Sequence, residues 1–134
     1  MKVMMINGSP RSKGCTYTAL MAVAEPMEAA GIAVELVNMG PGPVRDCIAC
    51  GKCRELDNRC VFDDDLVNRV LERAEGVDGL VLGSPVYYAH PSGRILSLLD
   101  RVFYAGGGLF AHKPGAAVVS ARRAGTSASL AVLK

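Results

Sequence analysis

The chain has 134 residues, half of them hydrophobic, with no tryptophan and a net charge of +2 from 15 basic and 13 acidic side chains. That suffices for one domain with one buried core, and the charge is too mild and too scattered to argue for nucleic acid or an anionic membrane. The first ten residues, MKVMMINGSP, carry five apolar side chains before Asn7 and Gly8, too short a run for a signal peptide or a membrane span. The expected compartment is therefore the cytoplasm, where thiols stay reduced.

The chain then alternates short apolar runs with amphipathic helical patterns. KVMMIN (2–7) reads as a strand buried on both faces and ends at a glycine-rich turn. Residues 16–30 put Leu20, Val23, Ala24, Met27 and Ala30 on one helical face, with a kink expected at Pro26 and a stop at Gly31. IAVELVN (32–38) is the second strand, followed by an irregular stretch over about 39–62. DDDLVNRVLERAEG (63–76) predicts a helix that opens on acidic residues and buries Leu66, Val67, Val70, Leu71 and Ala74. VDGLVLGSP (77–85) is the third strand, and Ser92 is a candidate cap for a helix carrying Ile95, Leu98, Leu99 and Val102. GAAVVSA (115–121) is a fourth strand, and TSASLAVLK begins a fourth helix.

This order predicts an α/β domain with a parallel sheet and helices on both faces. All strand-to-helix connections then lie along the carboxyl edge of the sheet, where ligands bind in such folds. GSPRSKGCT, the cysteine stretch, SPVYYAHPS and SARRAGT are those connections, and they hold nearly all the unusual chemistry of the chain.

NGSPRSKGCT (7–16) opens a helix with Gly8, Gly14, three hydroxyls (Ser9, Ser12 and Thr16) and two cations, Arg11 and Lys13. Free amides, hydroxyls and positive charge at a helix amino terminus make a phosphate cradle. It is neither a Walker A loop, since Cys15 stands where that motif has its lysine, nor a G-x-G-x-x-G fingerprint. The bland alternative is a polar turn. In GSPVYYAHPSG (83–93), Tyr87 or Tyr88 could lie against a planar ring while the other packs under the loop as core. His90 reads as an exposed loop residue, because no partner acid or nucleophile lies near it in sequence. SARRAGT (120–126) is either a solvated turn or a further wall of the same pocket, with Arg122 or Arg123 near an anionic group.

CIACGKCRELDNRC (47–60) puts four of the five cysteines into fourteen residues. Spacing alone leaves open a disulfide framework, a zinc site, an iron–sulfur cluster and idle thiols. Reducing conditions argue against the first, and zinc more usually takes two separated pairs.

Together, GSPRSKGCT, GSPVYYAHPSGRILSLLDR and VVSARRAGT resemble the NADPH-dependent FMN reductase family, flavodoxin-like proteins that include the iron–sulfur flavoproteins. The resemblance covers essentially the whole chain, as one domain over 1–134. It implies a three-layer α/β/α fold with strand order 2-1-3-4(-5). Only four strands can be read, so a longer natural protein, or another chain covering the fourth strand, is expected. The resemblance assigns the FMN phosphate to Ser9, Arg11, Lys13, Cys15 and Thr16, although Cys15 stands where an asparagine is frequent. It assigns the isoalloxazine to Pro85, Val86, Tyr87 and Tyr88, with Ser120, Arg122 and Gly125 as a further wall. FMN rather than FAD is expected, because one phosphate cradle is visible and no dinucleotide fingerprint. Cys47, Cys50, Cys53 and Cys60 resemble the compact cysteine pattern of the iron–sulfur flavoproteins, which implies ligands for a [4Fe–4S] cluster or, where the cluster has been lost, thiols close enough to pair.

The reading is an NAD(P)H-dependent flavin oxidoreductase whose chemistry belongs to the flavin, with no catalytic side chain assigned. Its partners are an electron donor and acceptor, with no nucleic acid and no membrane, and a homo-oligomer is expected. An electron carrier without a small-molecule substrate is the alternative, and a zinc-stabilised binding module is the third reading.

Overall fold

The first apolar run forms β1 (Lys2–Asn7), and its alternation decides how the molecule is layered. In a computed structural model that describes all 134 residues, Val3 and Met5 project to one side of the sheet and Met4 and Ile6 to the other, as the period of two requires. Burial on both sides is why the run is continuously apolar.

On one side, α1 (Cys15–Ala29) packs Leu20 and Ala24 against Val3, Met5 and Val81. The other side carries the larger core. There α2 (Val67–Ala74) and α3 (Gly93–Phe110) bury Val67, Val70, Leu71, Ile95, Leu98 and Val102 over Met4, Ile6 and Leu82. Leu20 is fully buried and sits so close to Gly83 that a Cβ there would lie 2.6 Å from Leu20 Cδ1. The bare backbone at Gly83 therefore lets α1 lie down on the sheet.

The sheet is parallel in its main part. β1 pairs with β2 (Ala33–Asn38) and with β3 (Gly79–Tyr87), and β3 pairs with β5 (Gly115–Ser120), giving the order β2-β1-β3-β5. A two-residue strand, β4 (His90–Pro91), folds back antiparallel on the end of β3, and α4 (Thr126–Leu133) closes the described chain. The expected order 2-1-3-4 is thus present, with β5 in fourth position, and the fold is flavodoxin-like. No helix is long and apolar enough to cross a membrane.

Three local expectations need correction. The helix predicted over 63–76 is only Val67–Ala74: its three aspartates stay outside it as ion-pair partners, with Asp65 also accepting from Val67 N (3.1 Å) at its start. Asp63 pairs with Arg59, Asp64 with Arg45 and Asp65 with Arg101, and none lies in the first turn of α2. α1 continues to Ala29 with no break at Pro26, which sits in its last turn, so the donor it removes falls at the end of the helix and not in its middle. Ser92 does precede α3, but its hydroxyl donates to Gly8 O (3.1 Å) instead of capping the helix.

Candidate functional site along the carboxyl edge

The strand register sets Asn38, Asn7 and Gly83 side by side, with Pro85 opposite Ser120. All three glycine- and hydroxyl-rich loops consequently leave from one line. Asn7 is wholly buried there and organises the first of them. Its Nδ2 donates to Asn38 Oδ1 (2.8 Å), and its Oδ1 accepts from Ser9 N (3.1 Å). Ser9 Oγ in turn accepts from Arg11 N (3.1 Å).

This loop bends so that the backbone N–H groups of Ser12 to Tyr17 donate to no acceptor within the protein, and no side chain caps α1 at Gly14. Six amides without a close acceptor, at and just before the positive end of a fifteen-residue helix and beside the exposed cations Arg11 and Lys13, form a donor set that fits a phosphate. Ser9 and Thr16 are buried at its base, whereas Cys15 is exposed. Thr16 Oγ1 shares a hydrogen bond with Ser120 Oγ (2.8 Å), which ties the first loop to the third.

The second loop is tied to the first by Gly8 N donating to Gly83 O (2.7 Å). Beyond the sheet it is a tight hairpin. Val86 pairs with Pro91 and Tyr87 with His90, leaving Tyr88 and Ala89 as a two-residue turn with φ of 51° and 61°. Turns of this kind favour Asn-Gly. Holding Tyr and Ala in the left-handed region costs about 1 kcal/mol or more per residue. The expectation that one tyrosine packs as core is overturned. Tyr87 is half exposed, and the strained tip holds Tyr88 wholly in solvent. Pro85 and Val86 are half-buried, and His90 is exposed.

The third loop packs directly on this hairpin. Gly125 has φ of 93°, and a Cβ there would lie 2.5 Å from Ala89 Cα. Only glycine tolerates both that angle and that approach. Arg122 and Arg123 are exposed, with no ion-pair partner.

The cysteine stretch leaves the same edge after Asn38 but does not stay there. It runs down one face of α3. Gly42 O accepts from Arg94, Asp46 from Ser97 Oγ, Arg45 O from Arg101 (3.3 Å) and Tyr104 O from Cys53 Sγ (3.6 Å). Positions 94, 97, 101 and 104 repeat every three to four residues and so form a single stripe. Arg101 lies eight residues into α3, about 12 Å along its axis from the carboxyl edge. The expectation that the cysteines converge at the edge itself is therefore corrected: they rest against the middle of α3.

There, Cys47, Cys50, Cys53 and Cys60 all line one mainly apolar cleft of about 240 Å³, with Phe62 and Tyr104 among its walls. A single water needs only about 10–15 Å³. All five cysteines of the chain are free thiols, and no three metal-binding side chains lie close enough to hold one ion.

Sequence reasoning missed the residues that organise both regions: Asn7 and Asn38 at the edge, and Asn68, Asp65 and Arg101 behind the cysteines. Asn68, almost wholly buried, accepts from Cys60 N (2.8 Å) and donates to Cys60 O (3.0 Å) and Phe62 O (3.0 Å). The available signal was polar: three consecutive aspartates exceed what a helix amino terminus needs.

An iron–sulfur flavoprotein of Methanocaldococcus jannaschii is 35% identical over 101 residues, covering 75% of this chain and 51% of the relative. One from Clostridioides difficile is 26% identical across the whole chain and 60% of its own length. The chain thus spans about half the length of the first of these relatives. Among solved structures, RosB with a bound riboflavin-phosphate derivative superposes with a TM-score of 0.73 at 15% identity, over 99% of this chain and 57% of that one. An NAD(P)H:quinone oxidoreductase from Methanothermobacter marburgensis gives 0.68 at 20% identity, over 92% and 65%. At such identities these two speak for the fold alone. The sequence profile of NADPH-dependent FMN reductases matches residues 1–134, and the chain belongs to that family.

Proposed function

We propose that the protein is an FMN-dependent oxidoreductase passing electrons from a reduced nicotinamide, or from a protein donor, to an acceptor. The observation that carries this reading is the run of unpaired amides from Ser12 to Tyr17, opening α1 beside the second and third loops. In this reading Ser9, Arg11, Lys13 and Thr16 surround the FMN phosphate. The peptide groups from Pro85 to Tyr88 meet the polar rim of the flavin ring, and Ser120, Arg122 and Gly125 close the far side. Cys15 contributes through its backbone amide, because a thiol is a weak donor. Bound FMN supplies the exchange of one or two electrons. The chain's own part is to hold the phosphate, fix the ring and limit water around it.

The cysteine cleft supports a second element of the proposal: Cys47, Cys50, Cys53 and Cys60 are the ligands of an iron–sulfur cluster. Four thiols lining one cleft, in a chain similar to iron–sulfur flavoproteins, favour this over loop packing. Such a cluster would also stabilise a long irregular segment that has few apolar residues of its own.

Anaerobic oxidation of NADH and NADPH, with a quinone or free flavin as acceptor, tests the enzyme reading. Steady turnover with a small-molecule acceptor supports it. An FMN-loaded protein that turns over only with a protein partner is instead an electron carrier. A preparation that takes up no flavin refutes both.

A further inference from the structure

Arg101 is the largest fully buried side chain of the molecule, 1% exposed, and it faces the cysteine segment rather than the sheet. Its guanidinium reaches four acceptors. Nε donates to Cys60 Sγ (3.2 Å), Nη1 to Arg45 O (3.3 Å) and to the Asp65 carboxylate, and Nη2 to Phe62 O (3.2 Å). The ring of Phe62 covers the guanidinium, with its centroid 5.4 Å away. Burial opposes the positive charge, but the bonds to Asp65 and Cys60 outweigh it and hold the Arg101 pKa above its ordinary value. Only a planar fork with several fixed donors can reach acceptors before and after the cysteines at once.

We propose that Arg101 is a positioning residue for the cysteine site: it clamps both ends of the 45–62 segment onto α3, and its hydrogen bond to Cys60 sulfur raises the reduction potential of the group the cysteines hold. The second half rests on the reading of that group as an iron–sulfur cluster. A donor to a ligand sulfur withdraws charge from it and favours the reduced, more negative state, so losing the donor lowers the potential. Cys60 is the ligand on which such control is effective, because Asn68 also fixes its backbone on both sides. Asp65 neutralises the charge of Arg101, which leaves the directed sulfur bond as the main lever.

The test uses wild type, R101Q, R101K and the double variant R101M/D65L, each purified anaerobically with FMN bound. Iron and acid-labile sulfide are measured first, then the cluster midpoint potential by spectroscopic redox titration. Amide hydrogen exchange over residues 45–62 is measured on metal-free protein. The double variant strands no buried charge, so it answers the question if R101Q fails to fold. R101Q and R101M/D65L are expected to show a lower midpoint potential and faster exchange at 45–47 and 60–63. R101K retains the partnership with Asp65 and is expected to keep part of the exchange protection while showing the lowered midpoint potential. Wild-type potential and wild-type protection in both R101Q and the double variant would overturn the proposal. Absence of iron from wild type would refute the cluster reading and with it the control of potential. The clamp would then stand or fall on exchange in the metal-free variants.

Discussion

Replacing Asp65 by alanine removes the only carboxylate facing Arg101. Both side chains are almost wholly buried, 3% and 1% exposed, so the remaining charge would have little access to water. Breaking a buried pair in this way costs about 3–5 kcal/mol, chiefly because the surviving charge is left unpaired. Asp65 also accepts from Arg45 N (3.1 Å) and Val67 N (3.1 Å), so the cysteine segment and the start of α2 lose acceptors as well. A loss near 4 kcal/mol is a large share of the 5–15 kcal/mol that holds a typical domain together. For a urea slope of about 2 kcal/mol per molar, the midpoint should fall by about 2 M. Equilibrium unfolding in urea, followed by circular dichroism on flavin-free protein, measures it. Asp64→Ala is the matched control: its pair with Arg45 is more than half exposed, and its midpoint should move far less. The reasoning fails if Asp65→Ala costs under about 1 kcal/mol, the range of solvent-exposed pairs, or no more than its neighbour.

Thr16→Ala and Arg11→Ala should each weaken FMN binding by about 1–3 kcal/mol, read as a rise of the dissociation constant in a flavin fluorescence titration; unchanged affinity in both would put the phosphate elsewhere. Ala89→Gly relieves a left-handed backbone and should stabilise the protein by about 1 kcal/mol in the same urea assay, whereas an unchanged midpoint would mean that the turn is not strained. Gly125→Ala drives a Cβ into Ala89 and should lower both stability and FMN affinity. Hydrogen bonds from Asn68 and Arg45 hold the carboxyls of Asp63 and Asp64, respectively, below their ordinary value of 3.8. The folded state therefore binds their protons more weakly than the unfolded state does. Their contribution is complete above that value and is lost as pH falls through the lowered pKa values. Urea midpoints measured between about pH 5 and pH 2 should decline less steeply in the D63N/D64N variant than in wild type.

Much of the fold was legible because hydrophobic period tracks burial. Val3 to Ile6 alternate between two cores, and Leu66, Val67, Val70, Leu71 and Ala74 are all buried as their spacing predicts. The edge loops were legible too, since glycines and hydroxyls after strands have few other uses. Long-range polar pairing was not. Asp63, Asp64 and Asp65 look like a helix opening because a helix dipole favours acids there, yet each is claimed by an arginine 4, 19 or 36 positions away. Nothing local announces that Arg101 is buried. Its neighbours Leu98, Leu99 and Val102 mark the core face of α3, and the arginine reads as its solvent side. The two tyrosines failed for another reason: a turn with both φ values positive overrides the tendency of aromatic rings to pack inward.

The central claim is that FMN lies along the carboxyl edge with its phosphate on the opening of α1. Backbone amide chemical shifts of nitrogen-15-labelled protein, followed during titration with FMN, test it most directly. The account predicts that the amides of Ser12 to Thr16 and of Val86 to Tyr88 move together and saturate with one FMN per chain. Saturation with those amides unmoved, while shifts gather elsewhere, would contradict it.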